Sequence, residues 1–265
     1  MNTAIVLAGG SGRRMNSDIP KQYMMLKGKP VIYYSLKAFQ DNLHIDDIIL
    51  VTSDHYIEYV KKNILDDTLD KVSKVIQGGV ERYDSVWEGL KCIKESGYVF
   101  IHDGARPCIS QKLINDCYEA VVEDGACIAA VPVKDTIKIA DSEGYAAKTP
   151  DRNTLWQIQT PQVFEYDIIK SAYSSLYRSG RFNGVTDDAM VLERFGEHHI
   201  KLVYSDYRNI KISDTMWCNF INSDHYRERI LEHKSEFWNK EEEKRIELGF
   251  GSSFENRVAY KYLFD

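Results

Sequence analysis

The sequence predicts an α/β fold, a doubly wound and mostly parallel sheet, on three observations. Short apolar runs of strand length alternate with segments of helical periodicity. Those runs are continuously apolar, as expected of strands covered by helices on both faces. The first run breaks directly into glycines, where a backbone can turn sharply and approach a ligand. The chain has 265 residues, 43% of them hydrophobic, which suits one such domain with an appendage.

In chain order, residues 2 to 8 read as the first strand and lead into the glycine turn. Lys29-Pro30 opens a helix through Phe39, with Ile32, Leu36 and Phe39 at helical spacing. Asp47 to Thr52 is a second strand, Tyr56 to about Leu65 a helix, and Val72 to Ile76 a third strand ending in Gln77-Gly78-Gly79. The next helix is expected to begin near Asp84 or Ser85, both good caps, with Val86, Leu90 and Ile93 on one face. Tyr98 to His102 is a fourth strand ending in Asp103. A helix from Gln111 to Val122 and a fifth strand from Ala126 to Val131 follow.

From Ile137 to about Gln159 the pattern loosens, and Asp141-Ser142-Glu143-Gly144 is a turn signal inside a projecting β-hairpin. Helices resume at Tyr166 to Arg178 and Asp187 to Arg194. Lys201 to Tyr204 and Asn209 to Ile212 read as short late strands. After about Ser223 the composition turns to charge, as in Lys240-Glu241-Glu242-Glu243-Lys244-Arg245. This divides the chain into a domain over 1–223 and a charged extension over 224–265, expected as an exposed helix or loosely held tail.

A net charge of -6 gives no global basic field, so neither nucleic acid nor a membrane surface is an expected partner. No apolar run approaches membrane-spanning length, and the amino terminus runs straight into a strand without a leader pattern, which predicts a cytoplasmic protein. Five cysteines, with no CxxC pair and no metal-ligand spacing to histidine, read as reduced thiols rather than a zinc site.

Open parallel sheets bind ligands outside the carboxyl ends of their strands, and three candidates fall there: the glycine turn, Asp103 and Thr136. In Leu7-Ala8-Gly9-Gly10-Ser11-Gly12-Arg13-Arg14-Met15, successive N–H groups can cradle an anion the size of a triphosphate. Arg14 and Lys21 add fixed cations. Taken alone, the turn is equally an ordinary tight turn with solvated basic residues. Asp103 suits Mg²⁺, which takes one or two carboxylates and fills its other positions with phosphate oxygens and water. From position alone it is equally a helix cap or a partner of Arg106. Lys134, Lys138, Arg152, Arg82 and Lys211 each read, individually, as solvated cations.

The glycine motif, Pro20-Lys21-Gln22-Tyr23, Arg82-Tyr83-Asp84-Ser85-Val86, Asp103-Gly104-Ala105-Arg106-Pro107, Pro132-Val133-Lys134-Asp135-Thr136-Ile137-Lys138, Asp151-Arg152-Asn153, Gln159-Thr160-Pro161-Gln162, Thr186-Asp187-Asp188-Ala189 and Asn209-Ile210-Lys211 occur in one order. In that order, over residues 2 to 213, the chain resembles the 2-C-methyl-D-erythritol 4-phosphate cytidylyltransferases. The resemblance implies a Rossmann-like, glycosyltransferase-A-like nucleotidyltransferase fold. It implies transfer of CMP from CTP to the polyol phosphate, with release of pyrophosphate, in the non-mevalonate isoprenoid pathway. A sister family uses ribitol 5-phosphate for wall or capsule polymers, and usually has Asp-Ser-Val-Arg-Pro where this chain has Asp103-Gly104-Ala105-Arg106-Pro107.

The resemblance further implies that Ala8, Gly9, Gly10, Gly12, Gly79 and Ser85 enclose the nucleotide and that Arg14 and Lys21 grip its triphosphate. Asp103 would hold Mg²⁺, and Lys211 would bind the α-phosphate. Thr136, Arg152, Thr160 and Thr186 match positions for the polyol phosphate. The stretch 137–158 matches an arm that embraces a second subunit, so a homodimer is expected, with Arg152 serving the partner's site. Val80 departs from the acidic residue frequent there, and from Asp214 onwards the sequence no longer follows the family. A nucleotide-binding regulator without turnover is the alternative of a different class; the presence of Arg14, Lys21 and Asp103 points away from it.

Overall fold

The apolar runs become strands, and the computed structural model describes them within residues 1–10, 19–26, 28–95, 97–196 and 198–212. Strand β1 (Thr3–Ala8) is followed by a small hairpin, β2 (Met25–Leu26) and β3 (Lys29–Pro30). Next come α1 (Val31–Gln40), β4 (Asp47–Thr52), α2 (Asp54–Asn63), β5 (Val72–Gln77), α3 (Arg82–Cys92) and β6 (Tyr98–Asp103). The second half comprises α4 (Gln111–Asp124), β7 (Ala126–Pro132), a hairpin of β8 (Ile139–Ala140) and β9 (Ala146–Lys148), then β10 (Trp156–Glu165), α5 (Tyr166–Ser179), α6 (Asp188–Phe195) and β11 (Lys201–Tyr204).

One seven-stranded sheet runs in the order β11-β7-β10-β6-β1-β4-β5. Every strand is parallel to its fellows except β10, which pairs antiparallel with both β6 and β7. Alternate side chains of each strand enter opposite layers, because successive Cβ atoms point to opposite faces. Ala4, Val6, Ile48, Leu50 and Phe100 pack under α1, α2 and α4, whereas Ile5, Ile49, Val51 and Ile101 pack under α3, α5 and α6. That is the doubly wound arrangement expected from continuous apolar strands.

Helix α4 shows how local signals set boundaries: the Ser110 hydroxyl accepts the Leu113 N–H at 3.1 Å, and Gly125 closes the helix at φ 73°. Helix α3 starts earlier than expected, at Arg82, because Glu81 and Asp84 form a reciprocal capping box across its first turn.

Two further differences concern the second half. Strand β10 occupies the middle of the sheet where a polar connection was expected. Proline within a run argues against a central strand, but the register shifts between Ile158 and Gln162, so Pro161 sits in an irregularity rather than in the ladder. Asn209–Ile212 is not a strand. The Ile212 N–H donates to the Ala105 carbonyl at 2.9 Å and Arg106 Nη1 donates to the Asn209 carbonyl at 2.8 Å, which folds the segment onto the exit of β6. Gly12, Arg14 and the extension over 224–265 lie outside the described residues.

Candidate active site

The sheet register fixes the site. Leu7 of β1 lies beside Asp103 of β6, and Ala8 beside Thr52 of β4, so the glycine turn and Asp103 leave the sheet at one edge. The Gly78 N–H donates to the Thr52 carbonyl at 2.7 Å, which brings the glycines after β5 to the same edge. Gln22 joins the turn across its base: its Nε2 donates to the carbonyls of Ala8 at 2.6 Å and Gly10 at 3.0 Å. Tyr23, the next residue, hydrogen-bonds Thr52 Oγ1 and stacks on Tyr56 at 4.2 Å. Lys21, half-buried, begins the single 3-10 turn that carries both.

Gly79 is required by close approach, since a Cβ there would stand 2.1 Å from Asp84 Cβ and 3.2 Å from its carbonyl carbon. The Ser85 hydroxyl accepts the Gly79 N–H at 3.2 Å and donates to the Glu81 carbonyl at 3.3 Å, fixing the Gly78-Gly79 bend over α3. At Gly9, by contrast, a Cβ would meet only ordinary contacts, with Ser85 Oγ at 3.6 Å, and at Gly10 nothing within 4 Å.

Asp103 is the electrostatic centre. Its Oδ2 lies 2.8 Å from Lys211 Nζ and 3.6 Å from Arg106 Nε, and its Oδ1 lies 3.6 Å from Arg82 Nε. Burial alone would raise its pKa, but Lys211, Arg82 and Arg106 overrule that and hold it well below the usual carboxylate range. Arg82 and Arg106 were not among the residues singled out for this site. For Arg106 the signal was its place three residues after Asp103, which reads as a simple pairing; for Arg82 what was lacking was the knowledge that its segment meets β6.

Below Asp103 runs a hydrogen-bonded chain whose protons can be assigned. The Asp103 N–H donates to Thr160 Oγ1 at 3.1 Å, Thr160 Oγ1 lies 3.1 Å from His102 Nδ1, and His102 Nε2 lies 3.3 Å from the Arg106 carbonyl. A carbonyl only accepts, so Nε2 carries the imidazole proton and Nδ1 accepts from the Thr160 hydroxyl. Burial lowers the His102 pKa to about 3, with Asp103 opposing and Arg106 adding to the effect.

The unfolded chain takes up this proton near pH ~6.5, so the stability His102 contributes is complete above that pH and is lost as pH falls towards 3. Between pH 7 and pH 5 we expect a loss of about 2 kcal/mol from this group, absent in His102→Gln. Urea unfolding at the two pH values checks it; an unchanged slope in the variant refutes the assignment.

Thr160 is therefore buried with its hydroxyl engaged by Asp103 and His102. Thr136, Arg152 and Thr186 are exposed. Arg152 Nη1 donates to the Lys134 carbonyl at 2.8 Å, at the root of the β8–β9 hairpin, and Thr186 precedes Asp187, which caps α6 through the Met190 N–H at 2.9 Å. The fold thus brings together Ala8, Gly9, Gly10, Gly79, Ser85, Asp103, Thr160 and Lys211. Among the described residues, no hydrogen bond or ion pair joins Thr136, Arg152 or Thr186 to the Asp103 cluster.

A magnesium ion fits Asp103 as a lone protein carboxylate. Among the described residues, Oδ2 is taken by Lys211, whereas the nearest cation to Oδ1 stands 3.6 Å away, beyond hydrogen-bond distance. Among the described residues no group of three His, Cys, Asp or Glu side chains gathers, so the remaining ligands would be phosphate oxygens and water. No helix among those residues is long and apolar enough to cross a membrane.

Residues 2–221 match the family model described as 2-C-methyl-D-erythritol 4-phosphate cytidylyltransferase. The chain is 66% identical over 213 residues to the protein of that name from Lachnospira eligens, covering 80% of this chain and 94% of the relative. It is 50% identical over 214 residues to that from Lachnoclostridium phytofermentans, covering 80% and 90%. The solved 4-diphosphocytidyl-2C-methyl-D-erythritol synthase of Anaerococcus prevotii superposes with a TM-score of 0.72 at 34% identity, covering 83% of this chain and 93% of that one. The 2-C-methyl-D-erythritol 4-phosphate cytidylyltransferase of Francisella tularensis does so at 0.70 and 33%, covering 83% and 98%.

Proposed function

The chain belongs to the 2-C-methyl-D-erythritol 4-phosphate cytidylyltransferase family, and from that premise we propose how its sheet edge performs the reaction. It is a cytidylyltransferase: it transfers CMP from CTP to 2-C-methyl-D-erythritol 4-phosphate, releasing pyrophosphate, in the non-mevalonate route to isoprenoid precursors. Ribitol 5-phosphate is not favoured as acceptor, since the relatives at 66% and 50% identity both carry the methylerythritol name.

The observation that supports the site is the single carboxylate of Asp103 met by Lys211, Arg82 and Arg106 beside the glycine turn. A phosphate monoester has a second pKa of about 6 and is mostly ionised at neutral pH, so its oxygen needs no base to attack the α-phosphorus of CTP. What the protein must supply is alignment and positive charge where the phosphoryl oxygens and the leaving pyrophosphate become more negative. Lys211 and Lys21, together with Arg14, supply that charge. Ala8, Gly9, Gly10, Gly12, Gly79 and Ser85 enclose the nucleotide. Asp103 holds Mg²⁺, which when bound neutralises phosphate charge.

Thr136, Thr186 and Arg152 receive the polyol phosphate, with Thr160 acting from beneath through its bond to the Asp103 N–H. Support for a homodimer comes from the β8–β9 hairpin, whose side chains from 135 to 149 are all exposed, Tyr145 at 69%. Such an unpacked arm suits a second subunit, and it would carry Arg152 and Thr136 to the partner's Asp103. Mixing Arg152→Ala with Lys21→Ala tests this, because one site of each heterodimer is then intact. We expect pyrophosphate release from CTP and 2-C-methyl-D-erythritol 4-phosphate to return on mixing, with little turnover on ribitol 5-phosphate. No recovery from two folded, inactive variants excludes the arm exchange, and a preference for ribitol 5-phosphate excludes the acceptor.

A further inference from the structure

The guanidinium of Arg82, first residue of α3, is gripped by a carboxylate from another element. Its Nη1 donates to Asp188 Oδ1 at 2.9 Å and its Nη2 to Asp188 Oδ2 at 2.7 Å. Asp188 is fully buried, and the Tyr173 hydroxyl donates to its Oδ1 at 2.6 Å. The Asp188 backbone is held as well: Gln162 Oε1 accepts the N–H groups of Asp188 at 3.0 Å and Ala189 at 2.9 Å, while Gln162 Nε2 donates to Asp187 Oδ2 at 2.9 Å. With the fork seated on Asp188 the guanidinium is fixed in place, and it turns its Nε towards Asp103, an ion pair at 3.6 Å from Oδ1.

Among the described residues, the other ion partners of the Asp103 carboxylate both lie on Oδ2. Lys211 is 40% exposed and ends a flexible four-carbon stem, so an arriving phosphate can draw it off Asp103; Arg82, forked onto Asp188, cannot leave. We propose that Arg82 is a positioning residue, locked by Asp188 and Tyr173, that fixes the orientation of the Asp103 carboxylate while Lys211 transfers to substrate phosphate. The inference rests on the site reading above and adds a device by which Tyr173 of α5 and Asp188 of α6 hold the geometry of β6 through Arg82. Lysine at position 82 would keep the charge but could not fork onto Asp188 and face Asp103 together.

A double-mutant cycle on kcat separates this from a purely structural role, with thermal midpoints recorded for each variant. Tyr173→Phe removes one hydroxyl from a packed ring; we expect kcat to fall roughly 3- to 10-fold with less than about a twofold change in KM for CTP. Arg82→Lys should cost roughly 10- to 100-fold in kcat. In an Asp103→Asn background each change should cost less than about twofold, because the group being aimed has lost its role. Equal costs in both backgrounds, or wild-type turnover by Arg82→Lys, overturn the inference while leaving the site reading intact. Wild-type turnover by Asp103→Asn overturns the site reading, and the inference with it.

Discussion

Lys211→Ala is expected to lower kcat about 10²- to 10³-fold, the effect of losing one preorganised charge donor from a developing oxyanion, about 2.7–4 kcal/mol. The geometry explains why so much should rest on one residue. Among the described residues, Lys211 Nζ is the closest cation to Asp103, at 2.8 Å, and it is 40% exposed, so it can reach outward to phosphate. Arg82 is tied to Asp188, and Arg106 to the Asn209 carbonyl. Stability should change little, because Asp103 keeps both arginines and the lost ion pair is partly solvated. Steady-state kinetics with CTP and the polyol phosphate, alongside a thermal melt, give both quantities; near-normal kcat would remove Lys211 from the chemistry.

The largest effect on stability is expected from Asp188→Ala. Asp188 is fully buried and carries both Nη groups of Arg82 and the Tyr173 hydroxyl, so its loss leaves a guanidinium and a phenol without their acceptor. Burial works against the Arg82 charge, yet Asp188 and Asp103 raise its pKa above the ordinary arginine value, so the group stays charged and pays the desolvation. Breaking such a pair costs about 3–5 kcal/mol. For a domain of this size that corresponds to a fall in Tm of roughly 6–20 °C. Differential scanning calorimetry decides it: a fall of under about 2 °C would mean Arg82 finds another partner.

What could be read along the chain were features whose cause is local. The strands of the parallel sheet show themselves because both faces are buried, leaving continuous runs such as Ile48 to Val51. Asp103 is visible because a carboxylate directly after such a run must stand at the carboxyl edge of the sheet. Strand β10 was hidden: the pattern is polar and loosened up to about Gln159, and only pairing with β6 and β7 on either side makes a strand of Trp156–Glu165. The start of α3 was hidden in a smaller way, since Glu81 caps as well as a serine only when Asp84 reciprocates.

Local sequence by itself therefore determined the layered α/β architecture, the glycine turn and the position of Asp103, because burial pattern and backbone freedom are properties of a few neighbouring residues. Tertiary structure alone decided that Arg82 and Lys211 join Arg106 around Asp103, and what holds the two arginines. Arg82 finds Asp188 across 106 residues, Arg106 finds Asn209 across 103, and Thr160 meets the Asp103 N–H across 57. An ion pair or hydrogen bond depends on distances of about 3 Å in space, and spacing along the chain carries no record of them until the sheet order has closed the loops between.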